Sequence, residues 1–298
     1  MEHTKHTRRV EDYSSRTANY TCMSRASSYL ENNPLFKSGD YIAVKLLPIF
    51  IKLLLLCKIL NLKGIISPKG IYQYVIARTK YIDNVFIESI KKGIDQVVIL
   101  GAGFDSRAIR LLDEKDRVKV YEIDIHTTIS AKLKQYKKRK IKLPNNDILI
   151  PVDFEKENII SKLNEYGFNK DKKTLFVLEG LIMYLSEYTI KDTFSFITDY
   201  SSQGSIMVFD YVHASVLRLE NKYYGENAIY NRVKKDNEQW IFGIDESKIN
   251  NFLMNFNLSL AEQLNSQEME ERYFKNGSGK IVTKVNGTHC IVLAKKMI

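Results

Sequence analysis

Cysteine and proline are scarce in this chain. The cysteines are three, Cys22, Cys57 and Cys290, among 298 residues. Their number is odd and no two are neighbours, which excludes a disulfide framework and the paired-cysteine spacing of a zinc site. No metal is expected, and a reducing cytoplasm is the natural compartment. With 44% hydrophobic and 27% charged residues and only 5 prolines, wholesale disorder is excluded. A leading apolar segment is also missing: Met1 to Tyr13 is charged and polar, so no signal peptide is expected. Uninterrupted apolar runs are lacking too. The best candidate, Tyr41 to Leu60, contains Lys45, Lys52, Lys58 and Pro48. A charge near the centre of a membrane span costs about 2.5–3.5 kcal/mol. That segment therefore reads as a buried or capping helix, not a stable membrane insertion.

What is abundant is positive charge, a net +10. Its one dense run is Lys132, Lys134, Lys137, Lys138, Arg139 and Lys140. At helical spacing this run reads as a solvated helix face, and no nucleic-acid-binding motif accompanies it, so no nucleic-acid partner is expected.

The chain changes character near residue 93. Residues 1–92 read as helical: Ser14 to Leu30, Leu35 to Leu60, a break at Gly64 to Pro68, and Ile71 to Lys92. From Gly93 onward short apolar runs alternate with helical stretches. The strands are expected at Val97–Leu100, Val118–Ile123, Leu149–Val152, Leu175–Leu178 and Ser205–Phe209. Two more, Leu258–Leu264 and Thr288–Lys295, follow as a closing antiparallel pair. Such alternation predicts an α/β fold: a doubly wound, mostly parallel seven-stranded sheet of Rossmann-like type. Residues 1–92 would form a helical cap and lid over a core at 93–298.

The motifs sit at expected strand ends. Val97-Val98-Ile99-Leu100 runs into Gly101-Ala102-Gly103-Phe104-Asp105-Ser106-Arg107. Glycines there allow a sharp turn and a close approach to a ligand. Ser106 replaces the third glycine of the dinucleotide fingerprint, which favours a cofactor without phosphates. The second strand ends in Tyr121-Glu122-Ile123-Asp124, about 20 residues on, where an acid accepts from ribose hydroxyls; a helix cap is the alternative for one of these acids. The third ends in Asp153-Phe154, a carboxylate and a ring suited to an adenine. The fourth ends at Glu179, followed by Gly180-Leu181-Ile182-Met183-Tyr184-Leu185.

Taken in order with Ser15-Arg16-Thr17-Ala18, Arg25, Pro34-Leu35-Phe36, Asp40 and Ala77-Arg78-Thr79-Lys80-Tyr81-Ile82-Asp83, these motifs resemble the leucine carboxyl methyltransferase family. That family includes bacterial O-methyltransferases of polyketide pathways. The resemblance runs from about residue 14 to residue 212. It implies a class I methyltransferase fold with S-adenosyl-L-methionine (SAM) as cofactor and S-adenosyl-L-homocysteine as product. It places Arg78 on the methionine carboxylate, Gly101 along the methionine and Asp124 at the ribose, with Gly103, Asp105 and Glu122 also expected to bind the cofactor. Asp153 and Phe154 would take the adenine, Glu179 the methionine amino group, and Lys37 a place near the cofactor. The chain departs from the family after Asp124, where Ile125-His126 replaces an acid-proline pair, and at Asp40, which precedes no proline.

The acceptor is expected to be a small, lipophilic molecule methylated on a carboxylate or hydroxyl. A carboxylate needs no base, whereas a hydroxyl benefits from one. Tyr184, Tyr211 and His213 are the candidates near the chemistry, with His126 and His289 weaker. Two alternatives stand beside this reading: methylation of a protein C-terminal carboxylate, and SAM binding without turnover. Oligomeric state is not legible from the sequence.

Overall fold

A computed structural model describes residues 16–57, 67–113, 117–153, 157–236 and 238–297. Its centre is a seven-stranded sheet in the order β3-β2-β1-β4-β5-β7-β6. The strands are β1 (Gln96–Leu100), β2 (Lys119–Asp124), β3 (Asp147–Pro151), β4 (Thr174–Leu178), β5 (Ile206–Val212), β6 (Leu258–Leu264) and β7 (His289–Lys296). The first five pair in parallel, while β7 runs antiparallel to both β5 and β6. This is the doubly wound, mostly parallel arrangement expected from the sequence. Strands β1 and β4 are buried throughout, which is why they read as unbroken Val/Ile/Leu/Phe runs.

The helices are α1 (Arg16–Tyr29), α2 (Tyr41–Leu46), α3 (Ile49–Leu56), α4 (Ile71–Lys91), α5 (Arg107–Leu111), α6 (His126–Lys138), α7 (Ile159–Glu165), α8 (Glu187–Asp199), α9 (Ala214–Leu217), α10 (Glu226–Lys235), α11 (Ile249–Met254) and α12 (Ser266–Tyr273). They cover both faces. One apolar cluster joins α1, α4 and Tyr136 of α6 to Val97, Ile99, Val120, Leu175, Val177 and Val208. The other joins α8 and α11 to Val98, Leu100, Tyr121, Phe176, Phe209 and Tyr211. The strand period of two therefore decides which side chains meet α4 and which meet α8. Because α4 shares that cluster with six of the seven strands, residues 71–91 pack along one face of the sheet.

The single long helix expected over Leu35 to Leu60 is broken. Leu47 is extended (φ −63°, ψ 144°) before Pro48, and α3 starts only after it. Proline disfavours helical backbone at the residue before it. Helix α3 leaves Ile49, Phe50, Leu53 and Leu56 exposed and buries Leu55. No described helix is long and apolar enough to cross a membrane.

Candidate active site

The strand ends beyond β1, β4 and β5 carry a chain of buried ion pairs. Arg78 reaches them from α4. Its Nη1 donates to Asp210 Oδ2 at 2.7 Å, and its Nε lies 3.1 Å from Glu179 Oε1. Arg107, at the start of α5, pairs through Nη2 with Glu179 Oε2 at 2.7 Å, through Nε with Asp83 at 2.9 Å, and also with Asp105. Arg110 binds Asp83 at 2.5 Å, and Arg25 binds Asp40 at 2.8 Å. Burial alone would lift the Glu179 carboxyl, yet Arg107 and then Arg78 hold it well below the usual carboxylate range. Burial opposes the charge on Arg78, but Asp210 and Glu179 outweigh it and keep the guanidinium firmly protonated.

Asp210 is the hub of the inner end. It is fully buried, its Oδ1 accepts from the Gly180 N–H at 2.6 Å, and its Oδ2 accepts from Arg78 and from the Tyr74 hydroxyl. Sequence reasoning did not single it out. The available signal was position: it lies on β5 in the same strand-end layer as Glu179 on β4, and a charge inside an apolar strand needs a partner.

Asp124 closes on the glycine turn. Its Oδ2 accepts from the Gly103 N–H at 2.7 Å and its Oδ1 from the Ile125 N–H at 2.7 Å. Burial lifts its carboxyl above the ordinary value against those two bonds. Gly101 has φ +68°, and a Cβ there would lie 2.9 Å from Leu181 Cδ1. Gly103 has φ +51°, with Ala18 of α1 3.6 Å from the place of its missing Cβ. The cap therefore lies directly on the turn.

Other expected cofactor residues are placed differently. Asp105 bonds the Arg107 backbone N–H at 2.7 Å and its guanidinium, so it holds Arg107. Glu122 is buried against Lys132. Burial, then Asp147, push its carboxyl well up, with Lys132 opposing. This corrects two readings: Glu122 is bound to a lysine, and Lys132 is not on a solvated face. Asp153 ends β3, its N–H bonded to Glu157 Oε2 at 2.8 Å. Phe154 lies outside the described residues. Lys37 is exposed in the segment before α2.

Beside Arg78 opens a cavity of about 800 Å³, counted out to its solvent mouth. Its walls include Tyr74, Met183, Tyr184, Trp240 and His289, with Thr17 and Glu238 at the cap side. The Thr17 N–H bonds Glu238 Oε2 at 3.2 Å, tying α1 to the segment after α10. Tyr184 lines this cavity, and burial pushes its hydroxyl up. Tyr211 and His213 do not. Tyr211 points to the α8 side of β5, where Gln263 Nε2 donates to its hydroxyl at 3.0 Å. His213 stacks on Tyr223 at 4.3 Å and lies 3.5 Å from Cys290 Sγ. The histidine that lines the cavity is His289, ranked low by sequence. Among the described residues no His, Cys, Asp and Glu group is arranged to hold a metal.

Comparison with known proteins agrees with this architecture. The leucine carboxyl methyltransferase family model matches residues 59–198. A Mycobacterium marinum protein provisionally named as a SAM-dependent methyltransferase is 29% identical over 162 residues, 54% of this chain and 53% of that protein. A Bacillus subtilis protein of the same provisional name is 25% identical over 201 residues, covering 67% of this chain and 66% of its own length. The chain thus matches between about half and two thirds of the length of these relatives. A Thermobifida fusca structure, provisionally named as a methyltransferase, superposes with a TM-score of 0.58 at 13% identity. That superposition covers 95% of this chain and 98% of the other, and it bears on the fold alone. Over residues 59–198 the chain is similar to the leucine carboxyl methyltransferase family, and its fold is that of the class I methyltransferases.

Proposed function

We propose that this chain is a SAM-dependent O-methyltransferase acting on a small, lipophilic acceptor. The observation that carries the reading is the Arg78–Glu179 pair, whose arginine lines the cavity. The two groups are 3.1 Å apart, yet Arg78 Nε and Glu179 Oε1 are both buried without a hydrogen bond. A buried polar atom without a partner is costly. A guanidinium beside a carboxylate with free capacity suits an amino-acid zwitterion: carboxylate on Arg78, ammonium on Glu179. The ion pairs around them hold one more carboxylate than guanidinium: Asp40, Asp83, Asp105, Glu179 and Asp210 against Arg25, Arg78, Arg107 and Arg110. That excess suits a ligand with an additional positive centre. Asp124 beside Gly103 suits a ribose diol, and the missing third glycine suits a cofactor without a pyrophosphate.

When bound, SAM supplies an electrophilic methyl on a sulfonium whose departure needs no acid. The residues of the chain would hold the acceptor oxygen in line and keep water out. The Thr17–Glu238 bond closes the cavity from the cap side, and Tyr184, Trp240 and Met183 give it an apolar lining. An aromatic-walled space of this kind favours a small acceptor. The family match keeps a protein C-terminal carboxylate as the second reading.

Calorimetric titration with SAM and S-adenosylhomocysteine tests the cofactor assignment. Wild-type protein should bind both, and Arg78→Ala and Asp124→Ala should each weaken binding at least tenfold. A folded wild-type protein that binds neither ligand overturns the assignment.

A further inference from the structure

We propose that His289 is the residue that takes the proton from the acceptor, and hence that the acceptor oxygen is an aromatic hydroxyl. The inference rests on the methyltransferase reading above and narrows its substrate.

A fixed hydrogen-bond chain sets the tautomer of His289. Asn286 Nδ2 donates to the Lys69 carbonyl at 2.9 Å, which orients the amide and leaves Oδ1 as the acceptor. The Thr288 hydroxyl donates to that Oδ1 at 2.5 Å, and the Thr288 N–H reaches it at 3.1 Å. With its only proton spent, Thr288 Oγ1 can only accept from His289 Nδ1, 2.7 Å away. Nδ1 therefore carries the hydrogen, and Nε2 presents a lone pair.

The loop is held in place with little freedom. The Asn286 N–H donates to the Gly70 carbonyl at 3.0 Å. A Cβ at Gly70 would lie 2.4 Å from the Asn286 nitrogen, and one at Gly225 would lie 2.4 Å from Asn286 Nδ2. Two glycines at positive φ, +77° and +79°, thus leave room for Asn286, Gly70 for its backbone and Gly225 for its side-chain amide. The imidazole is stacked on Tyr74 at 4.3 Å and meets the Trp240 ring edge-on at 5.1 Å. Burial first, then Arg78, holds it well below the usual histidine range, so the ring is neutral before an acceptor binds. Tyr74 also bonds Asp210, which holds Arg78. The base and the proposed cofactor anchor are therefore positioned by one side chain.

The step balances. The acceptor O–H bond breaks and its proton goes to Nε2. An oxygen lone pair forms the O–CH₃ bond, and the C–S bond of the methylsulfonium donor breaks with its electron pair going to sulfur. An aryl hydroxyl suits the walls, because Trp240 and Tyr184 line the cavity with aromatic rings. A carboxylate acceptor would find no use for the lone pair.

Two readouts test this without turnover. The first is the ¹⁵N NMR spectrum of the histidines. His289 should be a neutral Nδ1–H tautomer with Nε2 unprotonated, and Thr288→Val should disturb that preference. An Nε2–H tautomer in the wild type overturns the proposal. The second is 4-nitrophenol, whose ionised form absorbs in the visible. Bound to wild-type protein it should ionise about one pH unit lower than when bound to His289→Gln, a tenfold difference. Calorimetry and thermal unfolding would show that the variant still folds and binds the probe. Equal ionisation in both proteins, or no binding of the phenol to the wild type, overturns the proposal. Loss of homocysteine-ligand binding by the wild type would instead sink the cofactor reading, so the two failures are separable.

Discussion

Arg78 and Asp210 meet at 2.7 Å although 132 residues separate them in the chain. The contact ties α4 to β5, so the cap side and the sheet share one buried charge pair. Truncating one partner of such a pair leaves the other unpaired, which costs about 3–5 kcal/mol. Asp210→Ala is expected to lose that much stability in urea denaturation. A loss below about 1 kcal/mol would show that the hub is not structural.

Gly101 sits at φ +68° with Leu181 Cδ1 at 2.9 Å from where a Cβ would be. Gly101→Ala should be destabilised by about 1 kcal/mol or more, since alanine is strained there. Its affinity for S-adenosylhomocysteine should fall with it. Unchanged stability and affinity would mean that the turn relaxes freely.

Tyr211 lies across the sheet from the cavity. Tyr211→Phe should therefore leave turnover on a competent acceptor within about twofold, while losing about 0.5–1.5 kcal/mol of stability with the Gln263 bond. A large loss of turnover with stability intact would return Tyr211 to the site.

Asp147 is buried beside the Glu122–Lys132 pair, and both of its oxygens lack a hydrogen-bond partner. Burial pushes its carboxyl up to about 6. A carboxyl raised in the folded state is stabilising while protonated, and that contribution is lost as pH rises from about 4 through about 6. Asp147→Asn should flatten the fall in stability across that window, read from denaturation midpoints at several pH values. A wild-type curve that instead rises through this window because of Asp147, and levels in the variant, would reverse the sign.

His289 acts in the opposite direction. Its imidazole is held below the usual value, so the unfolded chain binds the extra proton. Stability from this residue should be complete above about pH 6.5 and fall as the pH drops below it. His289→Gln should remove that acid sensitivity, a change visible in the same denaturation series.

Much of the fold was legible because parallel strands buried on both faces appear as apolar runs. The runs at Val97, Leu175 and Leu258 start within a residue of the strands they predict. Arg78, Asp124 and Glu179 were singled out as charges in apolar surroundings, and the structure places all three around the strand ends, each bonded within the protein. The errors have one cause in common: a sequence shows that a residue is near a strand end, but its face depends on register. Asp210 faces α4, while Tyr211, one residue later, faces α8. His213 shares the α8 side with Cys290. His289, at the start of β7, pairs with Val212 and lies on the Asp210 side. Only the antiparallel β5–β7 register reveals this. The ion pairing of Glu122 with Lys132 was hidden because a lysine-rich helix reads as solvated even when one lysine turns inward.

The sheet order has a temporal meaning. Strand β7 lies between β5 and β6, yet it follows both in the chain. While the chain is being synthesised, β6 emerges without a neighbour to pair with and must wait. Strand β7, made after it, then joins it to the sheet and brings His289 to the cavity wall. Long-range pairing of this kind is slow. The binding chamber is therefore completed late, and a ribosome stalled before residue 289 would release a chain whose parallel half is present but whose chamber lacks a wall.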